Sequence, residues 1–255
     1  MDLTGKAALV TGGGTGTGRA VALELARRGC HVAVNYSRSH AEAEKTAHEA
    51  AALGVQACAV HADVANDANV RAMVETVTQR LGRLDVLINS AGVTSYISHA
   101  DLESVTDADW DKILGTNLKG TFYCTRAAAP WLRRDGGGAI VNISSIAGVV
   151  AIGSSIPYCA SKAAINNMTV ALARALAPEI RVNAVAPGFI DTRWWQHFPA
   201  YESIRAMAVE QTLVGKACQP EDVAGTVVHL ATADFVTGQV LVVDGGHTIA
   251  QGMRR

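Results

Sequence analysis

Seven short, predominantly apolar runs alternate with helix-patterned stretches along almost the whole chain, and this alternation constrains the fold more than any other feature. The runs lie at residues 7–10, 31–34, 56–60, 84–88, 139–143, 181–185 and 240–243. A strand open to water on one side alternates polar and apolar residues, whereas a strand covered on both sides does not need to. Between the runs, residues 16–28, 41–53 and 158–177 read as helices. Val70, Met73, Val74, Val77 and Leu81 recur at i, i+3, i+4, i+7 spacing. Thr106 and Asp109 have the spacing of a capping box that opens a long helix through Trp110, Leu114 and Leu118, and a further helix covers 220–231. The pattern predicts an α/β chain forming a single doubly wound domain over residues 1–255. Its seven-stranded sheet is mostly or fully parallel, with right-handed crossovers. With 49% hydrophobic residues the chain can cover both faces of such a sheet.

Residues 189–213 break the alternation with Trp194, Trp195, His197 and Phe198. Loops over the carboxyl ends of parallel strands carry the ligand site in such folds, so this stretch reads as a substrate-binding loop or lid. An apolar interface patch is the alternative for the tryptophan pair.

Charge excludes some functions. Lys and Arg number 22 against 23 Asp and Glu, interleaved without a basic run, so neither nucleic acid nor a membrane surface is expected as a partner. The first residues carry no signal-peptide pattern and no apolar stretch is long enough to span a membrane, which predicts a cytoplasmic protein. Five scattered cysteines form no CxxC pair and no metal-ligand cluster, so no metal is expected. Cys159 reads as a packing residue, and His61, His197, His229 and His247 as surface or packing histidines.

The turn after the first run is Thr11-Gly12-Gly13-Gly14-Thr15-Gly16-Thr17-Gly18. Glycines there let the backbone approach a pyrophosphate, which the free N–H groups of the following helix would bind. With its TGxxxGxG spacing the chain resembles, over essentially its whole length, the classical short-chain dehydrogenase/reductase family, whose domain is of the Rossmann type. Further motifs follow in order. Asp63, with Val64, stands where the family sets an Asp against adenine. Asn89-Ser90-Ala91-Gly92 matches NNAG, with Ser90 for the second Asn. Pro187-Gly188 precedes Ile190 and Thr192, where the family contacts the nicotinamide carboxamide or the pyrophosphate. The resemblance thus implies cofactor contacts from Gly12, Thr15, Gly16, Thr17, Gly18, Asp63, Val64, Asn89, Ala91, Gly92, Pro187, Gly188, Ile190 and Thr192.

An acidic residue at the end of the second strand binds the ribose 2′-hydroxyl in NAD-preferring folds. Here that position is Asn35, followed by Tyr36-Ser37-Arg38, and no carboxylate appears before Glu42. Arg38 would attract a 2′-phosphate and Ser37 could donate to it, which favours NADP(H) over NAD(H). Thr15 stands where many NADP-preferring relatives carry a basic residue.

Tyr158-Cys159-Ala160-Ser161-Lys162 matches the family's YxxxK. Residues i and i+4 share a helix face, so phenol and ammonium can converge on one ligand. The resemblance implies that Tyr158 is the acid/base, that Lys162 aids it, and that Ser145 hydrogen-bonds the substrate carbonyl. It implies for Asn117 a role in holding a water that links Lys162 to solvent. Trp194, Trp195 and Phe198 would line the substrate side.

Among family members the chain is most similar to the 3-oxoacyl-acyl carrier protein reductase branch, through Asn35-Tyr36, Asn183-Ala184-Val185-Ala186-Pro187-Gly188 and Asp244-Gly245-Gly246. The expected activity is reduction of a ketone or 3-oxoacyl-type carbonyl to a secondary alcohol. The alternatives are an alcohol, sugar or polyol dehydrogenase working oxidatively and, outside enzymes, a nucleotide-sensing protein on the same fold. The family implies a homotetramer, with a dimer as the alternative. Arg133 and Arg134 suit docking of an acidic carrier protein, but Glu179 opposes it.

Overall fold

The computed structural model describes residues 1–134, 136–196 and 198–250; His197 lies outside them. The strands β1 (Ala7–Thr11), β2 (His31–Tyr36), β3 (Ala57–His61), β4 (Val86–Asn89), β5 (Gly138–Ile143), β6 (Ile180–Pro187) and β7 (Val240–Val243) form one sheet in the order β3-β2-β1-β4-β5-β6-β7. Every pairing is parallel. The chain builds outward from β1 to β3, then crosses back to lay β4 on the other side of β1. The connections leaving the paired carboxyl ends of β1 and β4 therefore run to opposite faces and open a crevice, which is where such sheets bind ligands.

The apolar runs are explained by where successive side chains go. Neighbours on a strand point to opposite faces. Leu9 of β1, Leu87 of β4 and Ile140 of β5 pack on one face with Val70, Met73 and Val77 of α3 (Asp67–Leu81) and Leu132 of α5 (Gly120–Arg134). Val10, Ile88 and Val141 face the other way. They meet Val21 and Leu25 of α1 (Gly16–Arg27) and Val223 and Val227 of α10 (Pro220–Thr232). Each of these side chains is fully or almost fully buried, a gain of about 1.5–3 kcal/mol apiece over exposure. The second helix, α2 (His40–Ala51), flanks β2 and β3.

The structure departs from the sequence pattern in three places. The capping box of Thr106 and Asp109 forms, but the helix it opens, α4 (Asp107–Ile113), passes into a π-helical turn at Leu114–Lys119 before α5 begins. The helix carrying Tyr158 starts earlier than expected. After the short α6 (Ala147–Val150), α7 runs Ile156–Leu176, and the Ser155 hydroxyl accepts the Tyr158 N–H at 3.4 Å. Residues 189–213 hold α8 (Arg193–Gln196) and α9 (Tyr201–Gln211) in place of an irregular loop. A last short helix, α11 (His247–Ala250), follows β7.

Candidate active site

At the carboxyl edge of the sheet lies a cleft of about 1060 Å³. Its floor is the glycine turn. Gly12 adopts φ +62° beside the Ala91 backbone, and a methyl group on Gly18 would stand 2.4 Å from the Gly12 carbonyl oxygen. Only glycine lets α1 begin this close to β1. Gly18→Ala is therefore expected to cost about 1–3 kcal/mol of stability by forcing the helix off the turn, read from denaturant midpoints. An unchanged midpoint would show that the turn yields. The N-terminus of α1 has no side-chain cap and no acidic residue in its first turn, so its N–H groups and partial positive charge remain available to an anion. Thr11 ties the turn to the β4 loop, its hydroxyl accepting from Ser90 N (3.0 Å) and Ala91 N (3.1 Å).

The structure brings Gly12, Thr15, Gly16, Thr17, Gly18, Asn35, Ser37, Arg38, Asp63, Val64, Ala91, Gly92, Pro187, Gly188, Ile190 and Thr192 onto the walls of this one cleft. Asn35 lines it while being buried. Its amide donates to the Val60 and Ala62 carbonyls (3.3 and 3.1 Å) and accepts from Gly12 N (3.3 Å), so it holds the glycine turn against β3. Ser37 and Arg38 are exposed at the rim, and Arg38 has no ion pair among the described residues. Behind them His61 Nε2 lies 3.2 Å from the Ser37 carbonyl, and the Tyr36 ring sits between His40 and His61. Asn89 stands behind the wall, donating to Asn142 Oδ1 at 2.9 Å, while Asn142 donates to Thr169 Oγ1 at 2.9 Å. This relay fixes the ends of β4 and β5 to α7.

At the other end of the cleft, the first two turns of α7 present Tyr158 and Lys162. Lys162 is 5% exposed; its Nζ donates to the Ile143 carbonyl at 2.8 Å and lies 5.5 Å from the Tyr158 ring centre. Burial lowers the ammonium to about 8 from its usual 10.5. Burial pushes the Tyr158 phenol up, and the Ser145 hydroxyl hydrogen-bonded to it pulls the other way. Ser144 is turned inward onto Asn166 Oδ1 (2.5 Å) and the Lys162 carbonyl (3.2 Å), which leaves Ser145 as the serine beside the phenol. Asn117, in the π-helical turn, is wholly buried. Its amide accepts from Val93 N (2.8 Å) and donates to Val93 O and Ser161 Oγ (3.0 Å each). π-turns of this kind occur often at functional sites.

The outer wall is aromatic. Trp194 stands edge-on to Tyr158 with ring centres 6.4 Å apart. Tyr96 packs against Phe198 (4.4 Å) and Trp195 (5.7 Å). Trp194 and Trp195 line the cleft, and Phe198 packs against Trp195 (6.2 Å) without lining it. Tyr96 carries no motif and is recognisable only once the β4 loop is seen folding over α8. Cys159 also has a neighbour that lies far off in sequence: its Sγ lies 3.8 Å from His99 Nε2, 60 residues away. Burial nonetheless raises the thiol, which keeps it a packing group. His247, expected on the surface or in packing, lines the cleft. No three His, Cys, Asp or Glu side chains among the described residues are arranged to hold a metal, and no described helix is long and apolar enough to cross a membrane.

Comparison with known proteins places this geometry. The family described as enoyl-(acyl carrier protein) reductase matches residues 12–248. A crystal structure assigned as a short-chain dehydrogenase/reductase from Burkholderia xenovorans superposes with a TM-score of 0.90 at 34% identity, covering 96% of this chain and 98% of that one. The chain belongs to the short-chain dehydrogenase/reductase family. Within it, the protein described as ketoacyl reductase 2 of the granaticin polyketide synthase from Streptomyces violaceoruber is 47% identical over 94% of each chain. The 3-oxoacyl-(acyl-carrier-protein) reductase FabG of Staphylococcus aureus is 40% identical over 96% of this chain and 99% of its own. This short-chain dehydrogenase/reductase is accordingly an oxidoreductase resembling ketoacyl reductases, and membership implies a nicotinamide cofactor. The uncapped α1 terminus and the glycine-only turn fit the pyrophosphate of such a group.

Proposed function

We propose that the protein is an NADP(H)-dependent ketoreductase that converts a ketone or 3-oxoacyl-type carbonyl into a secondary alcohol. The observation that carries the reading is the meeting of Ser145, Tyr158 and Lys162 at one wall of a cleft whose floor is the glycine turn. The bound dinucleotide would supply the hydride. Ser145 would hydrogen-bond the carbonyl oxygen and Tyr158 would donate its phenolic proton to the oxygen as negative charge develops there. Lys162, held by the Ile143 carbonyl, would lend positive charge next to the phenol. Asn117 would hold the β4 loop and α7 in register. The apolar wall of Tyr96, Ile152, Trp194 and Met207 supports a hydrophobic ketone over a sugar or polyol.

Arg133 is drawn to Glu179, Nε to Oε2 3.9 Å, and Arg126 is paired with Asp67 at 2.5 Å. Pairing reduces the positive field on this face, so the acyl group is proposed to arrive free or as a small thioester, without an acidic carrier protein. A homotetramer is proposed from the family together with the open edge of β7, where Leu241 is exposed, and from exposed Phe122 on α5.

The test is a fluorescence titration with NADPH and with NADH, followed by turnover on 3-oxoacyl esters, plain ketones and sugars. NADPH is expected to bind at least ~10-fold tighter, as one charge-assisted contact to a 2′-phosphate would give. Stronger NADH binding, or turnover confined to sugar oxidation, would overturn the reading.

A further inference from the structure

Arg193 opens α8, in the segment that forms the substrate wall, yet its side chain reaches the other end of the cleft. Nη1 lies 2.7 Å from Glu42 Oε1 and Nη2 lies 2.8 Å from Ser39 Oγ, contacts that span 151 and 154 residues of sequence. Ser39 follows directly on Ser37 and Arg38, and all three line the main cleft with Arg193. Arg193 also lines a smaller cleft of about 500 Å³ behind the glycine turn, together with Thr15, Gly16 and Lys45. Thr192 sits over the turn, its Cγ2 3.5 Å from where a Gly16 methyl group would be. Two adjacent residues thus reach opposite ends of the cleft: Arg193 contacts Ser39 and Glu42 at the adenosine corner, and Trp194 packs against the catalytic phenol of Tyr158.

We propose that Arg193 is a cofactor-specificity residue supplied by the 189–213 lid, poised on Glu42 to transfer to the 2′-phosphate of NADP(H). The proposal rests on the NADP(H) reading above. The Arg193–Glu42 pair is about half exposed on both sides, and such pairs contribute little by themselves, so exchange is cheap. A phosphate monoester carries more charge than a carboxylate and offers three acceptor oxygens, which a guanidinium can engage in bidentate fashion. Glu42 is the first carboxylate after β2 and would repel the phosphate if left bare; Arg193 covers it. Glu42 and the phosphate therefore compete for one guanidinium. Binding of the phosphorylated cofactor would draw in α8, and with it the aromatic wall.

Competition predicts opposite signs for the two partners of one ion pair, whereas a plain structural clasp predicts the same sign. The experiment is calorimetric titration of 2′,5′-ADP and of 5′-ADP, neither of which carries a nicotinamide, into the full-length protein, Arg193→Gln and Glu42→Gln. Wild type is expected to prefer 2′,5′-ADP. Arg193→Gln should weaken 2′,5′-ADP by about 10-fold and leave 5′-ADP unchanged, while Glu42→Gln should tighten 2′,5′-ADP severalfold. Tryptophan emission should respond to 2′,5′-ADP in wild type and not in Arg193→Gln. Equal losses in both variants, or preserved preference in Arg193→Gln, would overturn the proposal while the NADP(H) reading stands. A wild type without preference for 2′,5′-ADP would instead overturn that reading, and this proposal with it.

Discussion

Tyr158→Phe is expected to lower kcat/KM for carbonyl reduction by about 10²–10⁴, the usual contribution of a positioned general acid, with cofactor binding left near wild type. The substitution removes one hydroxyl and keeps the ring that packs edge-on to Trp194 and lies under the Lys162 ammonium. Burial raises the phenol, so Tyr158 stays protonated through neutral pH. That is the form a proton donor to a developing alkoxide needs. Ser145, the proposed carbonyl donor, is unchanged in this variant, so the loss should fall mainly on kcat. Single-turnover mixing of the NADPH complex with a ketone separates the chemical step from binding. A Phe variant within tenfold of wild type would remove Tyr158 from the reaction.

Much of this arrangement is legible in the chain because it is written in local patterns. Leu9 and Val10 are both apolar because they face opposite helix layers, and that alone implies a sheet covered twice. Tyr158 and Lys162 share a helix face by spacing, and the Thr106–Asp109 box closes as spaced. What escapes is whatever depends on backbone hydrogen bonding or on remote pairing. The π-helical turn around Asn117 changes hydrogen-bond partners without changing side-chain periodicity. The helix α9 shows little amphipathic pattern because Ala208 is its sole buried residue, so a helix there left no stripe to read. Arg193 meets Glu42, Cys159 meets His99, and Tyr96 meets Phe198 across 60 to 151 residues. Asn35 shows the same limit: its place near the end of β2 points to the ribose, while the fastening of the glycine turn by its amide is visible only in the structure.

Lys162→Met should all but abolish turnover and yet make the folded protein more stable at neutral pH. The side chain is 5% exposed, and burial holds its folded pKa at about 8 against 10.5 when exposed. At pH 7 the ammonium is charged in both states, and folding must desolvate it. At ~1.4 kcal/mol per pKa unit the penalty is roughly 3 kcal/mol. Methionine fills similar space without that penalty but gives up the hydrogen bond to the Ile143 carbonyl. Ile143 lines the cleft, so water can replace that bond, and a net gain of about 1–2 kcal/mol is expected. The pH dependence distinguishes this cause from better packing. Because the folded pKa lies below the unfolded one, the folded wild type binds fewer protons than the unfolded chain between pH 8 and 10.5. Its stability therefore rises with pH through that window and is flat on either side for this group. The advantage of Lys162→Met should be full below pH 8 and lost or slightly reversed by pH 10.5, where the forfeited bond to Ile143 is all that remains. Urea midpoints of both proteins at pH 7 and at pH 10 measure it directly. A variant that is less stable at pH 7, or whose advantage persists unchanged at pH 10, would show that desolvation of Lys162 is not the cost of assembling this site.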